Sequence, residues 1–159
     1  MKHHFVRTEN HSRLAAAVAF MEERGSASSC LMLLHGEPGV GKTRNISHWG
    51  AAKGAVLVKG HVGMNLDGLR WAISEKLGVK HRANRSAEME EQIAALRESG
   101  SPIVFDEAQF GLAMRCQQVP AAGIEYLRDV AERGNTYVVL VCHNAEVRRF
   151  SDSAHIRTR

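Results

Sequence analysis

Directly after the apolar run CLMLL at 30–34, the stretch His35–Arg44, HGEPGVGKTR, packs three glycines, a proline and a lysine into ten residues. A loop so poor in side chains constrains the fold more than any other segment. It bares consecutive backbone N–H groups, and it requires an extended segment before it and a helix after it to hold those groups in one direction. The residues on either side suit both requirements, because CLMLLH reads as a buried strand and TRNISHWGAAKG can run as a helix.

Three further apolar runs, AVLVKG at 55–60, PIVF at 102–105 and TYVVLVC at 136–142, are bounded by Gly, Pro, Asn or Ser. They are continuously apolar rather than alternating, as expected of strands buried on both faces of a parallel sheet. Helical stretches lie between them. In LDGLRWAISEKL, Leu66, Leu69, Ile73 and Leu77 fall at three- and four-residue steps and make one stripe, which Gly78 ends. Ser86 is expected to cap the helix that follows it, with acids in its first turn and a core face at Ile93 and Leu96. AAGIEYLRDVAERG at 121–134 repeats the helix-then-glycine pattern, and HSRLAAAVAFMEERG gives a helix ahead of the first strand. Alternating strands and helices predict a three-layer α/β fold, a mainly parallel sheet between helices.

With 159 residues, 44% of them hydrophobic and 24% charged, the chain suits one soluble domain. No apolar run approaches the roughly 18 residues of a membrane span, and the polar amino terminus has no signal-peptide core, so we expect a cytoplasmic protein without a membrane partner. Cys30, Cys116 and Cys142 are odd in number and suit free thiols. The nine histidines lack the spacing of a zinc site. The net charge of +4 concentrates in KHRANR at 80–85 and in RRFSDSAHIRTR at 148–159, a pattern that fits either nucleic acid or solvated surface loops.

Gly36, Gly41, Lys42 and Thr43 satisfy the phosphate-loop pattern G-x-x-x-x-G-K-[ST], with Gly39 as a further glycine. The candidate nucleotide-binding residues are therefore Gly36, Glu37, Pro38, Gly39, Val40, Gly41, Lys42, Thr43 and Arg44. Lys42 is expected to reach the β- and γ-phosphates of ATP, and the Thr43 hydroxyl to ligate Mg²⁺. A metal on a nucleotide needs a carboxylate, and PIVFDEAQ supplies Asp106 at a strand end for that role. Glu107, next to it, is expected to act as general base on an attacking water. Asn144, after the last strand, is placed to orient that water. His143 is the weaker candidate for that role, and is expected rather to pack or cap.

These residues resemble those of an AAA+ ATPase, with GEPGVGKT as Walker A, IVFDEA as Walker B and Asn144 as the first sensor. FVRTENHSR, GEPGVGKTR and above all DEAQ are similar to the transposition ATPases, the group of Mu-like phage protein B, TniB and TnsC; the ExeA secretion ATPases share much of the pattern. The resemblance implies an ATP- and Mg²⁺-dependent ATPase that binds double-stranded DNA without strong sequence preference. It also implies a homo-oligomer or helical filament, target delivery to a transposase, stimulation of that transposase and release on hydrolysis. It implies an arginine finger from a neighbouring copy, for which Arg157 and Arg159 are the candidates, with Arg148 and Arg149 behind them. DNA contacts would fall between the second strand and the following helices, at Lys59, His61, Asn65, Arg70, Lys80, Arg82 and Arg85. By the same resemblance, residues 1–159 are expected to form a single AAA+ core with a helical segment at 1–29 and without the C-terminal lid, either truncated after Arg159 or unusually minimal.

Overall fold

The computed structural model describes residues 9–24, 30–112 and 122–147. Its strands are β1 (Leu31–Gly36), β2 (Val56–Lys59), β3 (Ile103–Asp106) and β4 (Val138–His143). Its helices are α1 (Glu9–Arg24), α2 (Lys42–Lys53), α3 (Leu66–Leu77), α4 (Arg85–Ser99), α5 (Ala108–Leu112) and α6 (Ala122–Gly134). The strands pair in the order β1-β4-β3-β2, all parallel. Leu33 lies opposite Leu140, Phe105 opposite Leu140, and Val58 opposite Phe105.

Successive strand residues point to opposite faces, so the continuously apolar runs serve two cores at once. One face carries Val104, Val139 and Val141 under Leu14 and Val18 of α1 and Ile46 and Trp49 of α2. The other carries Ile103, Phe105, Val138 and Leu140 under Leu69 and Ile73 of α3, Ile93 and Leu96 of α4, and Leu127 and Val130 of α6. The expected stripe on α3 is present, with Leu69 and Ile73 fully buried. Gly78 ends this helix in the left-handed region at φ 68°.

The cap of α4 differs from the expectation. Asn84, not Ser86, is the N-cap, and its side chain accepts from Ser86 N and Ala87 N. Asn and Ser have nearly equal capping preference, so the sequence could not choose between them. The short α5 after Glu107 was not foreseen either, since five residues are too few to show a period.

Because all four strands run the same way, Gly36, Lys59, Asp106 and His143 end at one edge of the sheet. That edge is where a ligand of an open parallel sheet is held, in the crevice beyond the strand carboxyl ends.

Candidate nucleotide site

The loop between β1 and α2 turns through two glycines, Gly39 and Gly41, each at φ 83°. Gly41 caps α2 from the left-handed region, where a Cβ would be strained. Lys42 Nζ donates to Gly36 O at 2.7 Å and to Glu37 O at 2.8 Å, which curls the loop around its own lysine. The amino terminus of a twelve-residue helix begins at Lys42, so its partial positive charge and the ammonium meet at one place.

Across from the loop stands the end of β3. Asp106 is buried, and its Oδ1 accepts from Glu107 N at 3.0 Å. Glu107 itself takes φ 53°, a region that a non-glycine residue occupies only when its surroundings hold it there. The surroundings are identifiable: Gly60, just after β2, donates its N–H to Asp106 O at 2.8 Å and lies directly against the Glu107 carbonyl. A cavity of about 410 Å³ lies between the two walls, lined by Pro38, Gly39, Gly41, Lys42, Thr43, Arg44, Asp106, Glu107 and His143 among others. Lys42, Thr43, Asp106 and Glu107 thus line one cavity.

Oxygen donors from Thr43 and Asp106 border the same cavity, a hard-ligand set of the kind Mg²⁺ prefers. On the other side of the loop a second cavity, about 470 Å³, lies against α1, with Leu14, Ala17, Met32, Leu34 and Val40 as apolar walls and Asn10, Arg13 and Asn45 as polar ones.

At the end of β4 the geometry separates two neighbouring residues. Asn144 is exposed, donates Nδ2–H to Glu37 Oε1 at 2.6 Å and has Oδ1 2.8 Å from His35 Nδ1. Both ends of its amide are therefore engaged with the β1 side of the loop, not with Glu107. His143 instead borders the cavity, with Nε2 3.5 Å from Glu107 Oε2. His143 is also the N-cap residue of the 3-10 turn Asn144–Glu146, so the capping expectation holds while its ring borders the cavity, and no pattern in the sequence ranks it above Asn144.

The candidate DNA residues scatter. Lys59, His61 and Lys80 are exposed, and Asn65 is the N-cap of α3, accepting from Gly68 N at 2.9 Å. Arg70 is a correction: it is 3% exposed, and its guanidinium is committed to Glu88 and to Asp67. A charge so enclosed does not reach a phosphate backbone. The signal was present, since position 70 falls inside the apolar stripe of α3. Much of KHRANR is also neutralised locally, with His81 Nδ1 2.8 Å from Glu88, Arg82 2.7 Å from Glu91 and Arg85 3.3 Å from Asp67. Arg148, Arg149, Arg157 and Arg159 lie outside the described residues.

A parallel sheet with this loop after its first strand and an Asp-Glu pair after its third defines a P-loop NTPase fold. Residues 27–150 match the AAA domain family, and the chain belongs to it. Among solved structures, a DNA replication initiation factor is similar with a TM-score of 0.47 and 13% identity, over 94% of this chain and 46% of that one. The genome packaging NTPase of Sulfolobus turreted icosahedral virus 2, in complex with AMPPCP, is similar with a TM-score of 0.38 and 17% identity, over 73% of this chain and 66% of that one. No curated protein matches the chain significantly. Among the described residues no helix is long and apolar enough to cross a membrane.

Proposed function

We propose that this AAA ATPase is an ATP-dependent DNA-binding protein of DNA transposition, one that holds target DNA as an ATP-bound oligomer, delivers it to a transposase and lets go on hydrolysis. The observation that carries the hydrolytic part is the placement of Asp106 and Glu107 across one cavity from Lys42 and Thr43. The transposition part is supported by the DEAQ and GEPGVGKTR motifs and by exposed Lys59, His61 and Lys80 beyond the second strand.

In this reading the loop N–H groups and Lys42 hold the β- and γ-phosphates, and the cavity against α1 takes the base. Thr43 and Asp106 would hold Mg²⁺, which neutralises charge on the phosphates when bound. Glu107 accepts a proton from water as the water oxygen bonds to the γ-phosphorus. The bond from that phosphorus to the β,γ-bridging oxygen breaks, and its electron pair leaves with ADP. The proton passes from Glu107 to solvent. An arginine from a second copy would stabilise the charge developing on the γ-phosphate, making turnover depend on assembly.

The test is binding to random duplex DNA with ATP and with ADP across a salt series. ATP-dependent binding that falls steeply with salt is expected, because a protein that neutralises phosphates releases counterions. Binding indifferent to nucleotide, or no binding at any salt, removes the DNA part of the reading. Glu107→Gln should retain ATP and prolong the DNA-bound state.

A further inference from the structure

The carboxylate of Glu107 is held from two sides, and both contacts fall on the same oxygen. Gln109, two residues on in the first turn of α5, donates Nε2–H to Glu107 Oε2. His143, from the end of β4, brings Nε2 to 3.5 Å from that same Oε2, beyond a direct hydrogen bond but within ion-pair reach. Among the described residues Oε1 has no hydrogen-bond partner. The two side chains come from separate parts of the chain, and each has its other polar atom buried and unpaired: Gln109 Oε1 and His143 Nδ1. A buried polar atom without a partner is costly, so these side chains are not oriented for their own hydrogen bonding.

We propose that His143 and Gln109 are positioning residues for hydrolysis, fixing Glu107 through Oε2 so that Oε1 is the oxygen that takes the proton from water. The proposal rests on Glu107 as the general base. The neutral imidazole with its proton on Nε2 fits the site. It turns its N–H toward the carboxylate and leaves the buried Nδ1 as a bare acceptor, whereas a proton on Nδ1 would be a buried donor with nothing to receive it. Gly36 lies opposite His143 in the β1–β4 register, so the same strand end that supports the phosphate loop sets the imidazole against the base. A carboxylate free to rotate meets the water in the wrong geometry for much of the time, and small misplacements of a reacting group are costly in rate.

The experiment compares His143→Ala, His143→Gln, Gln109→Ala and Glu107→Gln with the parent chain. It uses single-turnover ATP hydrolysis with Mg²⁺ and duplex DNA present, titration with a fluorescent ATP analogue, and imidazole ¹⁵N NMR. His143→Ala and Gln109→Ala should each slow hydrolysis by roughly tenfold or more while nucleotide affinity stays within about twofold. His143→Gln, which keeps a donor near the place of Nε2, should recover most of the rate, and neither change should slow a Glu107→Gln chain further. The NMR should report His143 as the Nε2–H tautomer, and this reading does not depend on turnover. A parent-like rate in His143→Ala, a loss that appears in affinity instead, a further loss in the Glu107→Gln background, or an Nδ1–H tautomer would each overturn the positioning role. Full hydrolysis by Glu107→Gln would overturn the base assignment itself, so the two failures are distinct.

Discussion

Arg70 and Glu88, the one 3% exposed and the other fully buried, form an ion pair between α3 and α4. Ser74 and His81 also hydrogen-bond the Glu88 carboxylate, and Gln92 extends the network by donating to Ser74 Oγ at 2.8 Å and to Arg70 O at 3.1 Å. Tyr126 of α6 donates its hydroxyl to Gln92 Oε1. Three helices on one face of the sheet are thereby joined by polar groups inside an apolar layer.

Removing one member of such a pair strands the other charge away from water. We expect Arg70→Met alone to lower unfolding stability by roughly 3–5 kcal/mol, and the double change Arg70→Met with Glu88→Leu to lower it by much less. Urea unfolding followed by circular dichroism checks the order. A double variant no more stable than Arg70→Met alone would contradict it.

The same pair sets a pH dependence. Burial pushes the Glu88 carboxyl upward, but the hydrogen bonds from Ser74 and His81 and the Arg70 charge outweigh it, and the net direction is downward. A carboxyl depressed in the folded state stabilises above its unfolded value, about 4.3, and that contribution is lost as pH falls through the folded value. Asp67 is depressed in the same direction, chiefly by its hydrogen bond with Arg70. Stability should therefore drop on acidification below about pH 4.3, and Glu88→Gln should be less stable at neutral pH with a flatter acid limb. Melting temperatures from pH 3 to pH 7 give the comparison.

A Cβ added at Gly60 would lie 2.4 Å from the Glu107 carbonyl oxygen, a backbone atom that cannot swing away. Gly60→Ala should cost roughly 1–3 kcal/mol of stability. It should also slow ATP hydrolysis, since the peptide that must move carries Glu107. Gly54→Ala provides the control, for there the added Cβ meets nothing within 4 Å and the strain is that of φ 65° alone. Equal rates in the two variants would separate Gly60 from the base.

Cys30 and Cys142 are buried, and burial together with nearby Glu132 and Glu146 respectively pushes each thiol up to about 11. The thiolate is the reactive form, so neither should react with a disulfide reagent at pH 8 in the native protein. In a Cys116→Ser background the expected native count is zero, rising to two on unfolding. Rapid native labelling of either would place it nearer solvent than the fold does.

The sequence by itself determined the local parts of this protein. A buried strand, a loop with Gly39 and Gly41 where φ must be positive, and a helix beginning at Lys42 follow from backbone sterics within twenty residues. Asp106 and Glu107 were legible as a pair because they follow an apolar run, and Gly78 as a stop because only glycine readily takes its conformation. Tertiary structure decided what each polar side chain faces. Arg70 reads as a DNA contact until Glu88, eighteen residues away, is packed against it. His143 and Asn144 are adjacent and equally polar, yet one meets Glu107 and the other Glu37. Neighbours at a strand end project in different directions, and which direction holds the base is set by the pairing of β4 with β3 and, over a hundred residues of chain, with β1, relationships that no local pattern encodes.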